Sequence, residues 1–217
     1  MENVKAVIFD MDGVIIDTEN IWKQAEEEIF SSLGVQVNEA HAKITQAMTT
    51  TEVTLFWYEK FPWKHKSLKE VEQMVVSRVI ELIDSEECLI SDVKVFIERL
   101  KSKNYKIGLA TNSPFAIIPF VLNKLRATHL FDAVSSAEFE EKGKPNPAIY
   151  YTTAKKLDVN PKYCLAIEDS LSGMLAAKKA GMKVVAFTNG NKELNFEIAD
   201  YRMDSFESDK INPTAKN

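Results

Sequence analysis

Five short, nearly continuous apolar runs punctuate this sequence, at residues 4–9, 105–110, 133–136, 164–167 and 183–187, and each gives way to polar residues. Runs of that length, apolar at successive rather than alternate positions, suit strands buried on both faces. Between the last four lie stretches with helical spacing, 116–125, 147–157 and 172–180, the last closed by Gly181 in the position of a helix C-cap. Strand–helix alternation of this kind predicts a doubly wound α/β domain built on a parallel sheet.

The interval between the first two runs breaks the alternation. It holds long amphipathic segments at 21–33 and 71–83 with no convincing strand between them, and a further helical pattern at 93–100 leads back into the sheet. A discontinuous core of residues 1–17 and 86–217, with a helical insert at 18–85, is expected; 217 residues suffice for both. A hydrophobic share of 45% and a charged share of 27% suit a soluble globular chain.

The formal charge of −5, with no dense Lys/Arg run, argues against a nucleic-acid partner. The first apolar run is too short and too acidic for a signal peptide, and no stretch reaches the length of a membrane span. Cys88 and Cys164 are read as two reduced thiols in the cytoplasm.

In open α/β sheets ligands sit beyond the carboxyl ends of the strands, so the residues following each run carry the chemistry. They are Asp10-Met11-Asp12, Thr111-Asn112-Ser113, Lys142-Gly143-Lys144-Pro145 and Glu168-Asp169. Two carboxylates as close as Asp10 and Asp12 repel unless a cation lies between them. Taken alone, Asp-x-Asp is a turn, Thr-Asn a helix cap, Glu-Asp a capping acidic turn and Lys144 a solvated lysine. Their placement at successive strand ends is what gives them weight.

The run Phe9-Asp10-Met11-Asp12-Gly13-Val14-Ile15-Ile16-Asp17-Thr18 resembles the first motif of the haloacid dehalogenase superfamily. Thr111-Asn112 resembles the second motif, Lys144 in Gly143-Lys144-Pro145-Asn146-Pro147 the third, and Glu168-Asp169-Ser170 with Gly173 the fourth. The resemblance spans the whole chain and implies a Rossmann-like core under a helical cap. It implies Asp10 as the nucleophile that receives a phosphoryl group and Asp12 as general acid and base. Thr111, Asn112 and Lys144 would bind the phosphate. Asp10, Asp169 and the backbone carbonyl of Asp12 would hold Mg2+, with Glu168 a direct or outer ligand. A dehalogenase proper would lack Asp12 and the metal.

The cap segment Leu55-Phe56-Trp57-Tyr58, Pro62-Trp63 and Trp22 is similar to the hexitol phosphatase and 2-deoxyglucose-6-phosphate phosphatase group. Trp22 could stack on a sugar, whereas Trp57 and Trp63 read as cap packing. That group tends to carry an arginine where this chain reads Ala47-Met48-Thr49-Thr50. The rival within the superfamily is β-phosphoglucomutase, whose cap must hold a second phosphate with a histidine, a lysine and an arginine. Trp22, Gln46 and Thr50 stand at those places in an ungapped reading, although a shift would bring Lys43 near. The resemblance therefore implies a monomeric hydrolase acting on a small phosphorylated metabolite. His41, His65 and His129 lack ligand spacing, and Glu26-Glu27-Glu28 reads as a solvated helix face.

Overall fold

The computed structural model describes residues 3–37, 44–45, 48–191, 197–207 and 212–213. Lys43 and Gln46, which entered the comparison with a mutase, lie outside the described residues, as do Ala47 of the loop compared with the hexitol phosphatases and His41.

The first strand, β1 (Ala6–Phe9), is buried at every position. Its odd and even residues serve different layers, as the two-residue period of a strand requires. Val7 and Phe9 join an apolar cluster with Phe96, Ile97 and Leu100, while Ala6 and Ile8 join another with Ile149, Tyr150 and Ala177. A strand clothed on both faces has no solvent side, which is why its sequence does not alternate.

After β1 the chain forms α1 (Glu19–Ser32), α2 (Thr50–Lys60) and α3 (Leu68–Ser85), with no named strand before β2 among the described residues. Two capping boxes start the second and third helices: Thr49 with Glu52, and Ser67 with Glu70. In each, the hydroxyl accepts the N3 amide while the glutamate accepts the N-cap amide, so two orphan donors are satisfied at once. Phe30, Trp57 and Trp63 fill the centre of this helical unit, with ring centroids 5.9 and 6.1 Å from Phe30.

The chain then alternates through α4 (Val93–Ser102), β2 (Lys106–Thr111), α5 (Ile118–Lys124), β3 (Ala133–Ser136), α6 (Ala148–Lys156), β4 (Cys164–Glu168), α7 (Leu171–Lys179) and β5 (Lys183–Phe187). Two strands were not foreseen from the sequence, β6 (Tyr201–Met203) and β7 (Asn212–Pro213). They are three and two residues long, too short to show a period. The sheet order is β3-β2-β1-β4-β5-β6-β7, parallel up to the antiparallel β7 edge. The α/β class with a doubly wound parallel sheet is thus what the chain adopts. Among the described residues no helix is long and apolar enough to cross a membrane.

The Glu26-Glu27-Glu28 reading needs correction. Glu27 and Glu28 are exposed, and Glu28 pairs with Arg78 at 2.6 Å, but Glu26 is half-buried. It occupies the stripe of Ile21, Ala25 and Phe30, which the helix turns inward.

Candidate active site

The register of the sheet assembles the site. Phe9 pairs with Leu109 on one side and with Ile167 on the other. The next residue of each strand, Asp10, Ala110 and Glu168, therefore emerges at one level, at the carboxyl edge beside the first strand.

Asp10 is 7% exposed. Its Oδ1 accepts the Met11 amide at 2.7 Å and lies 2.9 Å from Lys144 Nζ. The same ammonium donates to Glu168 Oε1 at 2.7 Å and to the Ala110 carbonyl at 2.8 Å, so its three protons are all engaged. Burial alone would lower the Lys144 pKa, but the charges of Asp10 and Glu168 outweigh it and hold the amine above its ordinary range. Tyr150, unmarked by sequence reasoning because it sits in an apolar helix face, donates its hydroxyl to Glu168 Oε1.

Asn112 does its work on the backbone. Its Oδ1 accepts the Lys144 amide at 2.8 Å, pinning the loop that carries the lysine. Thr111 Oγ1 donates to Asp12 Oδ2 at 3.1 Å and accepts the Ser113 amide at 3.0 Å. Ser113, also not foreseen as a site residue, donates to Asp12 Oδ2 at 2.7 Å. Thr18 Oγ1 and Trp22 Nε1 donate to the other oxygen at 2.5 and 3.1 Å. Trp22 thus spends its indole N–H on Asp12.

The acidic side of the site is crowded. Asp10, Glu168 and Asp169 each offer a carboxylate oxygen, all within 4.8 Å of one another. Burial, then the charge of Glu168, raises the Asp10 pKa, with Lys144 opposing; burial and the Asp10 charge push Asp169 up to about 8. Glu168 Oε2 is buried with no hydrogen-bond partner among the described residues. Two glycines make room for these carboxylates. A Cβ on Gly13, whose φ is +72°, would fall 1.8 Å from Asp169 Oδ2, and one on Gly173 would fall 1.8 Å from Glu168 Oε2. Three crowded hard oxygen donors, one of them orphaned, fit a divalent cation such as Mg2+.

The helical unit closes on this edge. A Cβ on Gly143 would lie 2.9 Å from Thr49 Cγ2, so the start of α2 touches the loop before Lys144. Lys124 at the end of α5 donates to the Asp84 carbonyl in α3 at 3.3 Å. Neither buried cysteine offers a rival nucleophile, for burial raises both thiols, Cys164 to about 11.

The model of the haloacid dehalogenase-like hydrolases matches residues 7–187. Hexitol phosphatase B of Escherichia coli (strain K12) is 35% identical over 205 residues, 93% of this chain and 92% of that one. The beta-phosphoglucomutase of Bacillus subtilis (strain 168) is 33% identical over 207 residues, 90% of this chain and 88% of its own. Among solved structures, beta-phosphoglucomutase from Clostridium difficile superposes with a TM-score of 0.82 at 29% identity, covering 95% and 93% of the two chains. With a family model matching residues 7–187 and relatives above 30% identity over nine-tenths of its length, the chain belongs to the haloacid dehalogenase-like hydrolases and is a phosphatase enzyme.

Proposed function

We propose that the protein is a magnesium-dependent phosphatase of a hexose, deoxyhexose or hexitol phosphate, working through an aspartyl-phosphate on Asp10. The observation that carries this reading is the setting of the Asp10 carboxylate. It stands at the carboxyl end of β1, braced by Lys144 at 2.9 Å and the Met11 amide at 2.7 Å, among further acidic groups. We take residues 18–85 as the cap and 1–17 with 86–217 as the core, and place the enzyme in the cytoplasm.

In this scheme the free Asp10 oxygen attacks phosphorus, and the phosphorus–oxygen bond to the sugar breaks as Asp12 gives its proton to the leaving oxygen. Water then attacks the acyl phosphate while Asp12 takes a proton back, which releases inorganic phosphate and restores Asp10. Lys144 faces the charge that grows on the transferring oxygens, and Thr111 and Asn112 hold Asp12 and the lysine loop in place. Asp10, Asp169, the Asp12 backbone carbonyl and Glu168 would hold Mg2+, which would neutralise phosphate charge.

Trp22 positions the proton carrier in this scheme. Trp22→Phe keeps an aromatic ring but deletes the donor 3.1 Å from Asp12. Because an alkoxide leaving group needs a proton and a nitrophenolate does not, kcat/KM for an alkyl phosphate should fall about tenfold. That for p-nitrophenyl phosphate should stay within about twofold. Equal losses on both would remove Trp22 from this role.

The competing reading is a phosphosugar mutase, favoured by the similarity to beta-phosphoglucomutases. A mutase needs cap cations for a second phosphate, and Thr50, at one of the expected places, is the first residue of α2. The deciding experiment supplies glucose 1-phosphate with a bisphosphate primer, and separately a panel of hexose and hexitol phosphates, with and without Mg2+. Mg2+-dependent release of inorganic phosphate from the panel is expected. Formation of glucose 6-phosphate without phosphate release would establish the mutase instead.

A further inference from the structure

Helix α1 delivers Trp22 to Asp12, which fixes the side of the helix that looks at the reacting end of the substrate. Glu26 lies one turn further along that side, since residues four apart share a face. Four residues advance the helix by roughly 6 Å, the reach of a few carbon–carbon bonds. A polyol chain whose phosphorylated end is at Asp10 and whose ester oxygen is at Asp12 would run along this edge of the cap.

Glu26 is an odd residue for its place. The stripe it shares is otherwise apolar: Ile21, Ala25 and Phe30 are buried, and Trp22 and Ile29 are packed against the same cluster. Glu26 is half-buried, and among the described residues it has neither a hydrogen bond nor an ion pair. Burial pushes its pKa up to about 7. The neighbouring glutamate of the run shows the contrast, for Glu28 is exposed and held by Arg78. A half-buried carboxylate with no partner among the described residues keeps its oxygens open to accept, and ligand hydroxyls are what could meet them.

We propose that Glu26 is a specificity-determining residue, a cap acceptor for hydroxyl groups several carbons away from the phosphoester of a polyol phosphate. The proposal rests on the sugar-phosphatase reading and adds to it the group that tells a long polyol from a short one. A side chain that accepts a donor can discriminate against ligands lacking it, because the unused carboxylate stays unpaired. Glycerol phosphate, with three carbons, would stop short of Glu26, and p-nitrophenyl phosphate has no hydroxyl to offer.

The test measures kcat/KM for a hexitol 6-phosphate, glycerol 3-phosphate and p-nitrophenyl phosphate with the parent, Glu26→Ala and Glu26→Gln. Glu26→Ala should lose about tenfold to a hundredfold on the hexitol phosphate, mostly in KM, and stay within about twofold on the other two. Glu26→Gln keeps the volume and one acceptor oxygen, and should recover part of the loss. A uniform fall on all three substrates would make Glu26 a structural residue, and an unchanged hexitol value would remove it from the pocket; either overturns the proposal. If the parent cleaves p-nitrophenyl phosphate but no hexose or hexitol phosphate, the substrate reading itself fails, a result distinct from both.

Discussion

Asp10→Asn should cut phosphate release by about 10⁴-fold or more while leaving the protein folded. The amide has nearly the shape of the carboxylate but no charge with which to form an acyl phosphate, and no second step can begin without one. Stability should move the other way in metal-free buffer. Burial and the charges of Glu168 and Asp12 raise the Asp10 pKa against the pull of Lys144. A carboxyl with a raised folded-state pKa binds more protons folded than unfolded, so its contribution is intact below the usual carboxylate range. It is then lost as pH climbs from about 3.8 through the raised value. The asparagine variant escapes that loss, and its melting temperature at pH 8 in a chelator should equal or exceed the parent's. Added Mg2+ should stabilise the parent by about 3 kcal/mol at a hundred times its Kd, and the variant by much less. Phosphate release within about a hundredfold of the parent would rule out Asp10 as the nucleophile.

The placement of these residues was legible in sequence because of how a parallel sheet is built, whereas the roles proposed for them come from the family resemblance. Strands buried on both faces read as unbroken apolar runs, and the polar residue that ends each run must lie at the carboxyl edge. Once Phe9, Leu109 and Ile167 were in register, the residues beyond them had to converge. What the sequence withheld depends on side-chain reach across elements. Tyr150 looks like any helix-core aromatic until its hydroxyl meets Glu168, and Ser113 like a turn residue until it meets Asp12. Three successive glutamates look solvated, and only the packing of α1 turns Glu26 inward while leaving Glu27 and Glu28 in water. The edge strands β6 and β7 draw their pairing from β5 rather than from a hydrophobic pattern of their own.

Lys144→Met should separate what the lysine does for the fold from what it does for the reaction. Methionine fills similar space without a charge, and its introduction strands Glu168, which is 0% exposed, with only the Tyr150 hydroxyl among the described residues to meet its carboxylate. Removing one partner of a buried ion pair costs about 3–5 kcal/mol, or roughly 10 °C in melting temperature for a chain of this size. The penalty falls on the charged forms, so the variant should regain stability as pH is lowered and Glu168 and Asp10 take up protons. The pKa values of both carboxyls are already raised with the lysine present, and its loss removes the attraction that opposed the rise. Activity should fall by about 10²–10³-fold because the transferring phosphoryl group loses its fixed positive charge. Adding Glu168→Gln to Lys144→Met removes one of the two uncompensated charges, leaving that of Asp10, and should restore part of the melting temperature without restoring turnover. Thermal unfolding from pH 5.5 to 8 and kcat/KM for the two variants decide the matter. If the double variant recovers activity along with stability, Lys144 serves the fold alone and the phosphate must find its counter-charge elsewhere.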